Sequence, residues 1–264
     1  MNNGEFYTHS KKHAKSMKLN ILNEVSKSLC KIYIEIINSR GTGFFLLINV
    51  SKEEKLYMLV TVFHVIKTIK NKNDIKIIID NGNKEFNINM KRHKGIIVYD
   101  DEKDIIGIEI KEEDNIKNNV KFLNYEFLNY DINCKENQEN QENQYKNYLG
   151  KDVFILHHPL FRDLECNSGK ILTFTEDVQY YEFHHNLDTD EGSSGAPILL
   201  FENNNEGPKV IGVHKCFPTG QIEYKSNIGN FIGILIETVI NELKKKNNNN
   251  NNHKPWKDDS NNLK

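Results

Sequence analysis

A net charge of one sign is the first thing this chain lacks: 35 Lys plus Arg face 37 Asp plus Glu, leaving −2 over 264 residues at pH 7. So even a balance makes no broad field to gather nucleic acid or an anionic membrane. The basic stretches KKHAK (11–15), KRHK (91–94) and KKK (244–246) carry no interleaved aromatic residues, which marks them as solvated surface and not as nucleic-acid contacts. No run approaches the roughly 18 apolar residues of a membrane span. The opening MNNGEFYTHSKKHAKSMK lacks the apolar core of a secretory signal, so the expected location is intracellular, in the cytoplasm. Cysteine is sparse as well. Cys30, Cys134, Cys166 and Cys216 are far apart and form no CxxC pair, which argues for reduced thiols and against a disulfide framework. Walker, GxGxxG and HExxH motifs are missing, which removes support for nucleotide chemistry and for a bound metal. His157-His158 and His184-His185 could ligate zinc with Cys166 or Cys216, but neighbouring strand residues point to opposite faces. No cofactor is expected.

What remains is an apolar fraction of 38% with a clear rhythm. That fraction fills the core of one large all-β domain or two small ones. Short runs rich in Ile, Val, Phe and Tyr recur, among them CKIYIEII (30–37), GFFLLINV (43–50), YMLVTVF (57–63), DIIGIEI (104–110), DVFIL (152–156) and KVIGVH (209–214). Several alternate with period two between Gly, Asn or Asp turns, the pattern of a sandwich or barrel. About a dozen such strands predict two barrels. The repeat ENQENQENQ within 132–148 has almost no apolar content and reads as an exposed linker between them. The expected organisation is an N-terminal extension (1–27), a first barrel (28–131), the linker (132–148), and a second barrel with a C-terminal helix (149–246). In the last segment, Ile232, Leu235, Ile236, Val239, Ile240 and Leu243 fall at helical spacing with lysines in the final turn. The Asn-rich tail (247–264) cannot bury enough apolar surface to offset its ordering entropy and is expected to be disordered.

The run DTDEGSSGAPILL (188–200) crowds glycines and serines between acidic residues and an apolar strand. A nucleophilic serine needs a tight turn that exposes its Oγ and aims adjacent N–H groups at a developing oxyanion. In GSSGAP the candidate is Ser194, with the N–H groups of Gly192 and Ser194 as the oxyanion hole; an ordinary β-turn of small residues fits the hexapeptide equally well. Upstream, His64 ends the apolar run YMLVTVF, where a near-neutral imidazole at a strand end suits proton transfer. Asp104 stands just before an alternating strand and can fix that imidazole's tautomer; Asp100 and Asp101 are weaker candidates. Each residue alone has an ordinary structural explanation, but the order His, Asp, Ser is that of a catalytic triad.

Those segments resemble the chymotrypsin-like (trypsin-like) serine proteases over roughly residues 28–245: GTGFF (41–45), LVTVFHVI (59–66), DIIGIEI (104–110) and GSSGAP (192–197). The resemblance implies an all-β fold of two six-stranded antiparallel β-barrels, with His64 and Asp104 from the first and Ser194 from the second meeting in the cleft between them. It implies a protein or peptide substrate. The second half is similar to the bacterial glutamyl endopeptidases in LHHPLFRDLECNSGKI (156–171), GSSGAPILL (192–200) and VIGVHKCF (210–217). By position, that likeness makes Thr189 and His214 the substrate-binding residues that hold a glutamate carboxylate. A cationic or hydrogen-bonding imidazole suits such a pocket, because a buried carboxylate needs donors.

Some positions depart from the family pattern. Ser193 replaces the aspartate that pairs with a newly cut N-terminal amine in the digestive enzymes, so activation by such a cut is not expected. Lys215-Cys216-Phe217 lacks the glycine-rich edge that pairs with a substrate strand, with Phe217 placed to narrow the pocket mouth and Cys216 a candidate oxidation sensor. Asp188, Asp190 and Glu191 add negative charge close by. The reading from another class is a protease-like module that binds a peptide or partner without cutting it.

Overall fold

Strands dominate because the β-branched and aromatic runs leave few positions from which a helix could bury one face. The computed structural model describes residues 5–6, 17–50, 53–67, 74–79, 82–125, 147–174, 182–201, 207–216, 227–232, 235 and 239. The repeat at 132–146, Phe217, the Cys216 side chain and the Asn-rich tail lie outside the described residues. A two-residue pairing of β1 (Glu5–Phe6) with β2 (Met17–Lys18) and the short helix α1 (Leu19–Ser26) precede the main sheets.

The first sheet comprises β3 (Leu29–Ile34), β4 (Ser39–Asn49), β5 (Lys55–Thr61), β6 (Ile75–Ile79), β7 (Lys84–Ile88), β8 (Ile97–Asp100) and β9 (Ile105–Glu109), in the order β7-β6-β3-β4-β5-β9-β8 with every neighbour antiparallel. The second includes β10 (Asn124–Tyr125), β11 (Asp152–His157), β12 (Glu165–Phe174), β13 (Glu182–His185), β14 (Pro197–Leu200), β15 (Lys209–Cys216) and β16 (Asn227–Phe231). Its strands run β15-β14-β11-β12-β13-β16, and the pairing of β16 with β15 closes a six-strand barrel. The short β10 adds to β15 in parallel.

The apolar runs without alternation are strands buried on both faces. In β11, Val153 and Ile155 enter the cluster inside the second barrel, while Phe154 and Leu156 join the larger cluster that includes the first sheet. Each such side chain contributes about 1.5–3 kcal/mol when fully buried. The C-terminal segment takes the same role. Leu235 and Val239 are helical and wholly buried, and with Ile232 they belong to the larger cluster. Gly107 of β9 makes room there, since a Cβ on it would lie 3.0 Å from a Leu235 methyl. Ile232, Leu235 and Val239 thus pack against the half of the molecule that carries His64 and Asp104.

Candidate active site

Strand register brings His64 to Asp104. In the β5–β9 pair Thr61 faces Ile106, and continuing that antiparallel register places the residues just after β5 beside those just before β9. Phe63–Val65 then form a single 3-10 turn whose Val65 is buried and whose His64 side chain stays 43% exposed. Asp104 grips that turn at two points. Its Oδ2 lies 2.7 Å from His64 Nδ1, and its Oδ1 accepts the His64 backbone N–H at 2.8 Å. To do so Asp104 adopts φ +53°, a left-handed conformation that costs an ordinary residue about 1 kcal/mol or more. Asp100 is engaged elsewhere, accepting the Lys103 N–H at 2.9 Å.

The turn carrying Ser194 meets the first sheet at Gly41 and Thr42. A Cβ on Gly41 would sit 2.6 Å from Val65 and 3.0 Å from the Ser194 carbonyl oxygen, so Gly41 is where the chain beside His64 and the chain of Ser194 touch. Three carbonyl oxygens of the turn bond outside it, and that of Ser193 closes it. Glu191 accepts from Leu160 N–H (2.5 Å), Gly192 from Thr42 Oγ1 (2.8 Å), Ser193 from Ala196 N–H (3.0 Å) and Ser194 from Thr42 N–H (2.9 Å). Among the described residues, the N–H groups of Gly192 and Ser194 have no acceptor, and a buried N–H lacking one is available to a ligand. Gly192 and Gly195 hold φ of +88° and +90°, and a Cβ on Gly195 would fall 2.1 Å from Thr61 Oγ1. Glycine is required at 195 by conformation and by space alike.

Behind the turn lies a set of buried histidines that strand periodicity did not disclose. His157 ends β11 and is 1% exposed, with Nδ1 2.6 Å from Ser193 Oγ. His214 on β15 is 3% exposed; its carbonyl accepts the Gly195 N–H at 2.9 Å, and its Nδ1 lies 3.2 Å from His185 Nε2. Desolvation, followed by the nearby His157 and His64, pushes the His214 ring down to about 3. Burial also lowers His185 well below its ordinary value, and holds His157 and His158 at about 4. His214 is therefore neutral near pH 7, a hydrogen-bonding ring and not a cation. Thr189 is half-buried, one residue from Asp188, whose carbonyl accepts an N–H from the Asn167 side chain at 2.9 Å. Among the described residues, no group of three or more His, Cys, Asp or Glu is placed to hold a metal ion.

The fold is chymotrypsin-like. Its double-barrel architecture recurs in the active form of the Rv3671c protease from M. tuberculosis, with a TM-score of 0.54, 16% identity, and coverage of 83% of this chain and 82% of that one. A serine endoprotease from Yersinia pestis matches with a TM-score of 0.54 at 14% identity over 86% of this chain and 66% of its own. The HtrA-type protease AlgW, solved with a tripeptide, matches with a TM-score of 0.56 at 14% identity over 86% of this chain and 64% of its own. The chain thus spans about two thirds of the latter two proteins. No family model matches the chain, and no curated protein matches it in sequence. All three neighbours are proteases, one of them described as HtrA-type, and they do not single out the glutamyl endopeptidase branch.

Proposed function

We propose that the protein is a serine endopeptidase that cleaves by acyl transfer. Ser194 Oγ attacks the scissile carbonyl carbon while His64 Nε2 takes its proton, and Asp104 holds the imidazole in the Nδ1–H tautomer. The N–H groups of Gly192 and Ser194 receive the oxyanion. His64 then returns the proton to the departing amine as the C–N bond breaks, and water releases the acyl group by the reverse sequence. No cofactor enters. The observation that carries this proposal is the two-point grip of Asp104 on His64, at 2.7 and 2.8 Å, on an exposed turn that abuts the Ser194 loop.

The test is covalent labelling by a fluorophosphonate probe, read by intact mass, on wild type, Ser194→Ala and His64→Ala. An adduct on wild type alone is the expected result. A folded wild type that takes no adduct would overturn the proposal and favour the non-cutting binding module.

A finer part of the same proposal concerns specificity. His214, neutral and backed by His185, offers an N–H to an acidic side chain in a pocket shared with Thr189, as the likeness to glutamyl endopeptidases implies. A hydrogen bond to a charged group contributes about 1.5–3 kcal/mol, so a Glu substrate should exceed its Gln counterpart in kcat/KM by roughly 10- to 100-fold. His214→Ala should erase that ratio; a ratio near one in wild type would remove the acidic preference and leave the peptidase standing.

A further inference from the structure

The Ser194 turn holds a serine–histidine contact at its neighbour Ser193, and its chemistry differs from that of a nucleophile with its base. Ser193 is fully buried. Its Oγ lies 2.6 Å from His157 Nδ1 and accepts the Asp190 backbone N–H at 3.1 Å. The other ring nitrogen, His157 Nε2, is 3.0 Å from Asn167 Nδ2, which also donates to the Asp188 carbonyl at 2.9 Å. These contacts assign the protons. An amide nitrogen only donates, and turning the Asn167 amide over would set its oxygen against the Asp188 carbonyl. His157 Nε2 is therefore the acceptor, the ring's proton sits on Nδ1, and His157 donates to Ser193 Oγ. The hydroxyl oxygen receives two N–H groups, is shut away from solvent, and faces no base. It is not built to attack a carbonyl.

We infer that His157, oriented by Asn167 and acting through Ser193, is a positioning residue that braces the 188–195 turn and so holds the Gly192 and Ser194 N–H groups in line for an oxyanion. The brace joins three elements: Asn167 from β12, His157 from the end of β11, and Ser193 in the turn itself. Around it the turn is closed by its own backbone, with Ser193 N–H on the Asp190 carbonyl at 3.0 Å and Ala196 N–H on that of Ser193 at 3.0 Å. From the opposite side, Thr42 Oγ1 accepts the His158 N–H at 3.0 Å and donates to the Gly192 carbonyl at 2.8 Å. The turn is thus clamped between Thr42 of the first sheet and His157 of the second. Burial keeps the His157 ring near 4, so at neutral pH it carries the single proton this arrangement needs. The catalytic consequence rests on the acyl-transfer proposal; the mechanical one does not.

The test uses the full chain as wild type, His157→Ala, His157→Asn and Ser193→Ala. Two readings are taken: amide hydrogen exchange of peptides covering 188–196 and 56–61, and the rate of fluorophosphonate adduct formation. In His157→Ala, the 188–196 amides should exchange at least tenfold faster while those of 56–61 stay unchanged, and labelling of Ser194 should slow about 10- to 100-fold, less than the full loss of one oxyanion donor. His157→Asn should recover most of both, because its amide N–H can take the place of the Nδ1–H. Ser193→Ala should reproduce the His157→Ala result with a smaller change of volume, and it decides the matter if His157→Ala does not fold. Equal loop exchange in wild type and Ser193→Ala would overturn the brace, as would an adduct on Ser193 that survives Ser194→Ala. If wild type takes no adduct at all, the peptidase proposal falls, and the loop exchange still decides the brace.

Discussion

His64 and His157 both stand beside the serine-bearing turn, and their surroundings make different reagents of them. The His64 side chain is 43% exposed and bound to a carboxylate, so it can gain a proton and share the resulting charge with solvent and with Asp104. His157 is 1% exposed and bound to a hydroxyl and an amide, so a second proton on its ring would be buried with no carboxylate bonded to it, and burial outweighs the pull of nearby Asp190. Proximity of histidine to serine does not by itself make a catalytic pair. What separates a base from a strut is a counter-charge and access for the substrate, and only the exposed histidine has both.

Exchanging Asp104 for Asn tests that contrast most severely. The carboxylate's two bonds would become a mixture of donor and acceptor, the imidazole would settle in the wrong tautomer, and turnover on a cleavable peptide should fall on the order of 10⁴-fold. A fall of less than tenfold would mean that His64 does not depend on its carboxylate. Gly195→Ala attacks the framework that both histidines share. Its methyl group would collide with Thr61 Oγ1 and the Thr42 carbonyl at a φ of +90°, and the denaturant midpoint should report a loss of about 3 kcal/mol or more.

Acid sharpens the buried side of the comparison. His157, His158, His185 and His214 all titrate below their ordinary value in the folded protein, to about 4, 4, well below 6.5, and about 3. As pH falls from about 6.5 towards 4, the unfolded chain takes up protons that the folded one refuses, so stability falls. Each ring adds at most about 1.4 kcal/mol per pH unit in that window. Thermal midpoints at pH 7.5 and 5.0 should differ accordingly, with the lower midpoint at pH 5.0; equal midpoints would mean that these rings accept protons in place. The smallest expected effect is the most direct exchange of roles. Asn167→Asp puts a carboxylate beside His157 Nε2, and the His157 titration followed by NMR should rise from about 4 towards the ordinary histidine range.

Much of this is legible in the sequence alone. Hydrophobic runs with period two marked the strands, and YMLVTVFH, DIIGIEI and GSSGAP marked the ends at which His64, Asp104 and Ser194 appear, because exposed polar residues at strand ends stand out against apolar runs. His157 did not stand out. It follows Val153-Phe154-Ile155-Leu156 directly and precedes His158-Pro159, so it reads as the first residue of a turn, whereas it is the last residue of β11. The charge state of His214 was equally hidden, since a pKa depends on neighbours drawn from other strands. Asn167, 10 residues from His157, has no local signal linking it to Ser193, although the notable absence of an acidic residue at 193 could have prompted a search for whatever replaces it.

The sequence by itself determined an all-β chain with a His, Asp, Ser order and a glycine-flanked serine turn, because periodicity, turn chemistry and residue type are local properties of neighbouring residues. Only the tertiary structure decided which serine is open and which is buried, which histidine faces a carboxylate, and which N–H groups lack an acceptor. Those are outcomes of strand register and desolvation, which depend on residues far apart in the chain being brought together and water being excluded between them.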